Sequence, residues 1–210
     1  MALPRRTGAH PIRAYTGSVS ATRLLILGAV RIFQPVHGYF VRRELMTWRA
    51  DEWAHLNPGS VYNALRSLAR DGFLREESDD NRTTYRLTAD GETEFLHLLR
   101  RALWHIDPFG QDSVLAAISF MPALARDEVV AALEHRIAVI ETGHRSLDYD
   151  IRALTQDGTK PPHVGELLRL SDAWQQGELE WTRGLLERIR GGEYVFTGEP
   201  WVAPNTAPYA

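Results

Sequence analysis

The sequence predicts a mainly α-helical protein with one small β-hairpin. Apolar residues recur at helical spacing over much of the 210-residue chain, whereas only two short runs are rich in the residue types that favour strands. With 44% hydrophobic residues, the chain is long enough to bury one substantial core or two small ones. We therefore expect two compact, predominantly helical modules.

The first two predicted helices are separated by a short turn. The hydroxyl of Ser20 or Thr22 can cap a helix that ends near Phe33. The residues Val36-His37-Gly38 predict a turn, because Gly permits tight backbone geometry. A second helix is then expected from about residue 39 to residue 48 or 51.

The third predicted helix has one apolar and one polar face. Asn57 can cap a helix over residues 58–70, in which Pro58 is favourable at the first position. The residues predicted to face the core, spaced i, i+4 and i+7, are Val61, Leu65 and Leu68. The polar residues on or near the opposite face are Ser60, Asn63, Arg66 and Ser67. This helix therefore presents small polar and basic groups outward.

A β-hairpin and a fourth helix follow. Residues 73–77 and 83–87 are two short runs of strand-forming residues joined by a polar tip. Thr88 can cap a helix that runs to Trp104 or Ile106. Three helices, a hairpin and a helix make the winged helix-turn-helix pattern, in which one helix enters the major groove of DNA and the hairpin reaches along the backbone.

The rest of the chain is predicted to be helical and to end in an irregular tail. Residues 107–110, Asp-Pro-Phe-Gly, break the chain, and long helices are expected over about 126–154 and 164–189. The predicted domain limits are residues 1–20 for a flexible arm, 21–106 for the winged helix-turn-helix, 107–192 for an all-α helical domain and 193–210 for a flexible tail.

Charge is distributed unevenly along the chain. Residues 1–106 hold 15 basic and 11 acidic residues, a net charge of +4, whereas residues 107–210 hold 9 basic and 16 acidic residues, a net charge of −7; together these make the overall −3. All basic residues except Lys160 are arginines, whose planar fork suits phosphates and guanine edges. The basic half is therefore the candidate DNA-binding half.

Several classes of site have no support in the sequence. The chain has no Cys, which excludes disulfides, thiolate metal sites and cysteine nucleophiles. Its eight His residues show no i, i+4 pair, and no nucleophile elbow, phosphate loop, dinucleotide fingerprint or zinc-protease helix occurs. We therefore expect no enzyme activity, no metal and no cofactor.

No segment predicts membrane insertion or export. The longest apolar run, Leu24 to Phe33, is interrupted by Arg31 and is shorter than the roughly 20 residues that a membrane-spanning helix needs. The first 20 residues contain no apolar run of signal-peptide length. We expect a cytoplasmic protein without a membrane partner.

Particular residues of the first half are similar to those of one protein family. They are His37-Gly38-Tyr39 at the start of the second helix, Pro58-Gly59-Ser60-Val61-Tyr62 with Leu65 and Leu68, Asp71-Gly72-Phe73-Leu74, and Tyr85-Arg86-Leu87-Thr88 with Gly91. Together they resemble the PadR family of transcriptional regulators. The resemblance covers about residues 24–104 and continues more weakly to Glu178-Leu179-Glu180-Trp181.

The resemblance implies a homodimeric repressor built from two domains. Paired C-terminal helical dimerisation domains would hold two winged helices over a pseudo-palindromic operator in double-stranded DNA, and a small effector, an aromatic compound among the candidates, would release them. The DNA-binding residues so implied are Ser60, Tyr62, Asn63, Arg66, Ser67 and Arg70 in the third helix and Arg82 and Thr83 in the wing.

Several of these residues are also compatible with a purely structural role. Three of them would be ordinary on a solvated helix face: Asn63, Arg66 and Arg70. The acidic pair Asp79-Asp80 at the wing tip would be repelled by phosphates, which argues against a wing contact. His37 and Tyr39 are assigned to the fold, and Tyr39 is predicted to pack between helices.

Aromatic residues in the later helices indicate two further interfaces. Trp174 and Trp181 are seven residues apart and so lie on one helix face, which favours packing across a dimer seam. The residues predicted at this seam are Ile137, Ile140, Trp174, Trp181 and Leu185. Trp104, at the junction of the two domains, either stacks on an aromatic effector or packs at an interface without a ligand.

Two other functions are compatible with the sequence. A winged-helix protein-interaction module would use the third helix and the acidic half to bind a protein, without specific DNA binding. A binding protein for aromatic compounds would change its tryptophan fluorescence on binding with no change in DNA affinity. Tight, sequence-selective and salt-sensitive DNA binding that responds to the effector would distinguish a repressor from both.

Overall fold

The structure is a computed structural model that describes residues 20–79, 82–156 and 160–200. The arm before Ser20, the wing tip at Asp80-Asn81 and the tail from residue 201 lie outside the described residues. The elements of the first half are α1 (Ala21–Phe33), β1 (Val36–His37), α2 (Gly38–Thr47), α3 (Ala50–Trp53), α4 (Pro58–Arg70), β2 (Leu74–Asp79), β3 (Arg82–Leu87) and α5 (Ala89–Trp104).

The second half is helical throughout its regular elements. These are α6 (Asp112–Ile118), α7 (Arg126–Gln156) and α8 (Gly165–Arg190), with 3-10 turns at Met121–Ala123 and Pro162–Val164. The predicted fold, a mainly α-helical chain with a winged helix-turn-helix followed by helices, is confirmed. None of the helices in the described parts of the chain combines the length and the apolar character that a bilayer crossing requires.

Side chains cap three helices at the positions that the sequence indicates. Asn57 accepts a hydrogen bond from a backbone N–H of α4 at 2.9 Å, and Thr88 accepts one from a backbone N–H of α5 at 3.0 Å. Of the two candidates for α1, Ser20 is the cap and Thr22 lies inside the helix. These contacts satisfy N–H groups that a helix cannot bond internally and so define where each helix begins.

The wing has three strands instead of the two that were predicted. β1 pairs antiparallel with β3, with Val36 opposite Tyr85 and His37 opposite Thr84, so the strand order is β1-β3-β2. The prediction of a turn at residues 36–38 is therefore wrong for its first two residues. A two-residue strand has no alternation to detect, and its extended backbone depends on the open edge of β3.

The second predicted helix is broken in two. α2 ends at Thr47, and Arg49 has a left-handed backbone with φ of 57° before the four-residue helix α3 begins. The indole N–H of Trp53 donates to the carbonyl oxygen of Trp48 at 3.0 Å across this corner. The predicted continuous helix to residue 48 or 51 is wrong, because the helix-forming residues continue through a bend that tertiary contacts impose.

The buried core extends across the predicted domain limit at residue 107. Phe120, which follows α6, packs edge-to-face against Phe95 of α5 and Trp48, with ring centroids 5.6 and 5.7 Å apart. A Cβ at Gly28 of α1 would lie 2.3 Å from the Phe120 ring, so only a glycine lets the ring come so close. The first helix of the winged helix-turn-helix therefore packs directly on a residue from the second half.

α7 and α8 form an antiparallel pair held by side chains along its length. Arg183 of α8 donates to Glu141 of α7 at 2.5 Å, and His144 of α7 contacts Asp172 of α8 at 2.7 Å. The long helical stretches predicted for this half are thus present as a hairpin of two helices.

The segment after α8, residues 193–200, packs against the rest of the chain. It contains no helix or strand, yet Phe196 is buried and Thr197 donates its backbone N–H to the Pro122 carbonyl at 3.0 Å. Arg126 of α7 binds the Glu199 carboxylate at 2.6 Å. The described part of the predicted tail is therefore fixed by an aromatic anchor and an ion pair.

Candidate nucleic-acid interface

The exposed face of α4 carries most of the predicted DNA-binding residues. Val61, Leu65 and Leu68 are buried as predicted, which turns the polar face of the helix outward. The exposed residues of this face are Tyr62, Asn63, Arg66 and Arg70, and the half-buried ones are Ser60 and Ser67. All six residues therefore lie along the 13-residue helix α4.

Hydrogen bonds order the side chains on this face. Arg66 donates to Asn63 Oδ1 at 2.7 Å, and Arg70 donates to Ser67 Oγ at 3.0 Å. An amide oxygen has two lone pairs, so Asn63 Oδ1 can accept from Arg66 and from a base edge together. The Asn63 amide can then still present the donor and acceptor pair that matches adenine. Arg66 therefore orders the Asn63 side chain without using up its hydrogen-bonding capacity.

The wing carries one buried tyrosine on its inner side. Tyr85 of β3 faces the core, where burial raises the pKa of its phenol and the neighbouring Glu76 carboxylate raises it further. The positive charge of Arg66 acts on the same phenol in the opposite direction. The charge of Arg66 on α4 thus reaches the phenol of the wing.

Of the two predicted wing contacts, Arg82 is exposed and Thr83 is half-buried. The Thr83 backbone carbonyl accepts a hydrogen bond from His37 Nδ1 at 3.1 Å, which ties β3 to the start of α2. His37 thus has the fold role that the sequence indicates. The side chain of Arg82 is better placed than that of Thr83 to reach a phosphate.

The outer side of the wing carries two arginines that share one carboxylate. Arg75 contacts Glu77 at 2.6 Å and Arg86 contacts it at 3.4 Å. The hydrogen bond from Arg75, followed by that from Arg86, holds the pKa of Glu77 below its ordinary value. Glu77 therefore neutralises one of the two positive charges on this side of the wing.

Tyr39 is a surface residue, contrary to its predicted packing between helices. Its side chain is 60% exposed, and the Arg42 guanidinium lies 5.8 Å from its ring centroid. The neighbouring Gly38 takes the buried place instead, since a Cβ there would come within 3.1 Å of the Tyr62 ring. α2 therefore packs closely on α4 and leaves the Tyr39 ring exposed, with the half-buried Arg42 beside it. No sequence periodicity distinguishes this arrangement from a buried tyrosine.

The predicted dimer-seam residues occupy different environments. Ile140 and Leu185 are buried within the chain's own core, and Ile137 and Trp181 are partly buried against it. Only Trp174 is largely accessible, at 45% exposure. Most of the apolar stripe that the sequence assigns to a seam between chains packs within one chain. The sequence does not distinguish the two roles, because both produce the same spacing. The large exposed apolar residues near Trp174 on α8 are Leu167 and Leu170.

Trp104 lies at the joint between α5 and α7. Its ring is 40% exposed and its centroid is 5.0 Å from that of His135, with the planes tilted by 41°. One side of the indole is thus already next to a ring of α7. Among the described residues, no group of three or more His, Asp or Glu side chains is arranged to hold a metal ion.

The comparisons with known proteins bear on the segment that contains α4 and the wing. Residues 26–97 match the model of the transcriptional regulator PadR-like family. This part of the chain is therefore similar to PadR-like regulators. The match runs from within α1 to within α5, so the resemblance indicated by the sequence is confirmed for this segment. Among curated proteins, none is significantly similar to this chain.

Solved structures of PadR proteins are similar to the chain over most of its length. Bacillus subtilis PadR in complex with operator DNA is 20% identical and covers 80% of this chain and 98% of its own, with a TM-score of 0.35. The same protein in complex with p-coumaric acid is 18% identical and covers 81% of this chain and 99% of its own, with a TM-score of 0.34. A PadR-like regulator from Bacillus cereus is 17% identical and covers 81% of this chain and 99% of its own, with a TM-score of 0.33. At these TM-scores the structural comparison carries no argument. The similarity to PadR-like regulators therefore rests on the family match of residues 26–97.

Proposed function

We propose that this protein is a sequence-specific DNA-binding repressor that acts as a homodimer. The exposed face of α4 is the observation that carries the proposal, because it presents an ordered Asn63-Arg66 pair from a PadR-like domain. Contacts to phosphates supply most of the affinity, and base edges supply specificity. Arg82 and Tyr39 are exposed and are further candidate phosphate contacts.

The charge of the chain supports the same function. The half that contains α4 is basic, whereas the half that contains α7 and α8 is acidic. An anionic duplex is attracted to the first half and repelled by the second, which favours one orientation of the protein on DNA. Repression then follows from occupation of a promoter.

Homodimerisation would occur through the accessible part of α8. Leu167, Leu170 and Trp174 recur at i, i+3 and i+7 and are all exposed. A stripe of this spacing on a long helix suits packing against a second helix of the same kind. In a two-fold dimer the two α4 helices would lie about one turn of DNA, roughly 34 Å, or a multiple of it apart.

A small aromatic effector is the proposed releasing signal, with Trp104 as its contact. The exposed side of the Trp104 indole is accessible at the joint of α5 and α7. Titration of benzoate and phenylacetate into the wild type and Trp104→Leu, followed by tryptophan fluorescence and by DNA affinity, tests this role. Since coupling is reciprocal, a true effector must bind less tightly to the DNA complex. Quenching without any change in DNA affinity would leave only an aromatic-compound-binding protein.

Titration onto DNA tests the repressor function directly. The full chain is titrated onto the DNA upstream of its own gene and onto a scrambled duplex, each at two salt concentrations. We expect tight, selective binding to the upstream DNA, with log K falling by about 0.9 per neutralised phosphate for each unit of log salt. Arg66→Ala should reduce this affinity by about 1 to 3 kcal/mol or flatten the salt slope by about 0.9, depending on whether Arg66 meets a base or a phosphate.

A second arginine substitution serves as the matched control. Arg169 on α8 is also exposed and pairs with Glu166 of its own helix, far along the chain from α4. Arg169→Ala should leave DNA affinity unchanged. Equal, feeble and salt-insensitive binding of the wild type to both duplexes would reject the repressor and favour a protein-interaction module.

A further inference from the structure

Arg136 of α7 is a charged side chain in the interior of the protein. It is only 1% exposed and has the largest volume among the fully buried side chains of the described residues. Its partner Glu178 on α8 is 9% exposed. Neither the DNA-binding face nor the proposed dimer stripe uses this pair.

The guanidinium of Arg136 joins three helices. Nη1 donates to the backbone carbonyls of Leu103 at 2.9 Å and His105 at 2.7 Å, at the C-terminal end of α5. Nε donates to Glu178 Oε1 of α8 at 3.0 Å, and Nη2 contacts the same oxygen. The cation therefore satisfies carbonyls that α5 cannot bond internally and is neutralised by α8.

Stability alone is a poor explanation for this arrangement. Burying two charges costs desolvation that their attraction often fails to repay, and apolar residues of similar volume are frequently as stabilising. An arginine fork, however, has fixed directions for its donors. Four bonds from α7 to the end of α5 and to α8 thus define a relative orientation that apolar packing would leave less restricted.

Two other contacts cross the same joint between α5 and α7. Arg100 of α5 binds Glu128 of α7 at 2.5 Å, and the Trp104 ring lies beside His135. α5 in turn packs on α1 within the PadR-like domain. Any change in the angle at this joint would therefore move α4 relative to α7 and α8.

We propose that Arg136 is a positioning residue that sets the orientation of the PadR-like domain on the α7–α8 hairpin. In the dimer it thereby sets the separation of the two α4 helices. This inference rests on the proposed function, because the separation matters only if two copies bind one operator. Loss of the Arg136 fork should relax the preferred half-site spacing without changing how one domain reads one half-site.

The first experiment measures spacing preference with a folded variant. Arg136→Met/Glu178→Leu replaces the ion pair by apolar residues, and circular dichroism with thermal unfolding checks that it folds. Duplexes in which two selected half-sites are separated by successive one-base-pair insertions are titrated with each protein. We expect the wild type to prefer one spacing and the double variant to bind that duplex about tenfold more weakly, with a flat spacing profile. Affinity for a single half-site should stay within about twofold.

The conservative variant separates charge from geometry. Arg136→Lys keeps the positive charge but loses the fork, so we expect it also to broaden the spacing profile. The matched control is Arg190→Gln/Glu134→Gln, which removes an exposed ion pair between the same two helices, α7 and α8. This control should keep the wild-type profile. A folded double variant with undiminished spacing selectivity would overturn the proposal.

A second experiment tests positioning without DNA. The chain has no Cys, so nitroxide labels attach only at introduced cysteines. Thr47→Cys on α2 and Ala138→Cys on α7 report the distance between the two parts, measured by pulsed electron resonance with an excess of unlabelled chain. We expect a narrow distribution in the wild type and a broadened or shifted one in the Arg136→Met/Glu178→Leu background.

The two experiments separate failure of this inference from failure of the proposed function. If the wild type binds no DNA selectively, the repressor function fails, while the distance measurement still decides whether Arg136 sets the orientation. An unchanged distance distribution in the folded variant would overturn positioning by Arg136. If the double variant does not fold, Glu178→Gln, which removes only the buried negative charge, takes its place in both measurements.

Discussion

Gly28 in the middle of α1 can be tested by adding a single methyl group. Its Cβ would lie 2.3 Å from the Phe120 ring, which is itself enclosed by Phe95 and Trp48. We expect Gly28→Ala to lower the free energy of unfolding by about 1 to 3 kcal/mol, because the ring has to move within a packed core. Urea denaturation followed by circular dichroism measures this change.

Gly177 of α8 is the matched control for that substitution. A Cβ at Gly177 would meet nothing within 4 Å. Gly177→Ala should therefore be neutral or raise the free energy of unfolding by up to about 1 kcal/mol, as expected for alanine in an open helix position. An equal response of both glycines would show that the Phe120 ring is not held against α1.

Tyr39 yields a prediction that concerns DNA binding and not stability. Since its side chain is exposed, Tyr39→Ala should change the free energy of unfolding by less than about 0.5 kcal/mol. If its hydroxyl donates to a phosphate beside α4, operator affinity should fall several-fold, by about 1 kcal/mol. Tyr149→Ala, at an exposed position on α7, is the control and should leave both quantities unchanged. Unaltered DNA binding by Tyr39→Ala would remove Tyr39 from the interface.

Individual residues differ in how far the sequence determines their environment. Asn57 and Thr88 could be assigned as caps because capping depends on a few neighbouring residues. Tyr39 could not be placed, since its exposure depends on the close approach of α2 to α4 at Gly38. Arg49 could not be assigned a left-handed backbone, because that conformation depends on the corner between α2 and α3.

At the level of elements, residues 193–200 predict a pH dependence. The Arg126 guanidinium, followed by the Phe196 N–H, holds the pKa of Glu199 below its ordinary value. A carboxyl whose folded-state pKa is lowered stabilises the fold above its unfolded pKa, and this stabilisation is lost as pH falls through the folded value. Glu199→Gln should therefore lower the melting temperature at pH 7 and have a smaller effect at about pH 3.

The melting temperatures of the wild type, Glu199→Gln and a control variant are measured at both pH values by thermal unfolding. Glu180→Gln replaces an exposed carboxylate on α8 and should have only a small effect at pH 7. A Glu199→Gln effect that is the same at both pH values would contradict a role for the carboxylate charge.

Elements also differ in how well patterns predict them. Helical spacing predicts α4 and α5 at their observed positions, since a long amphipathic stretch contains many agreeing residues. The strand β1 and the packing of Phe196 were not foreseeable in this way. Both consist of one or two residues that bind to a surface formed by distant parts of the chain.

For the whole molecule, the exposed stripe of α8 predicts how the chain associates. Leu170→Glu places a charge in the stripe and should shift the protein from dimer to monomer, because burying an unpaired carboxylate is costly. Light scattering during size-exclusion chromatography measures the molar mass. Ile32→Glu on α1, also at an exposed apolar position, is the control and should leave the mass unchanged. A monomeric wild type, or a Leu170→Glu variant that remains dimeric, would reject this stripe as the dimer seam.

The division of the molecule was harder to predict than its elements. The break at residues 107–110 indicates a boundary, and the charge of the chain changes sign there. Phe120 nevertheless enters the core beneath α1, and the Arg136 fork binds the end of α5. Such long-range contacts leave no local pattern, so sequence reasoning describes each half more reliably than their joint.

The wing carries an internal counter-ion. Glu77 already occupies the two arginines of its outer side, so a phosphate that approaches Arg75 or Arg86 replaces one anion by another. If the protein binds DNA as proposed, this exchange gains little free energy on arbitrary sequence, and the wing adds little to binding at wrong sites. A repressor with such a wing would dissociate readily from non-specific DNA and would be retained where α4 contacts its specific bases.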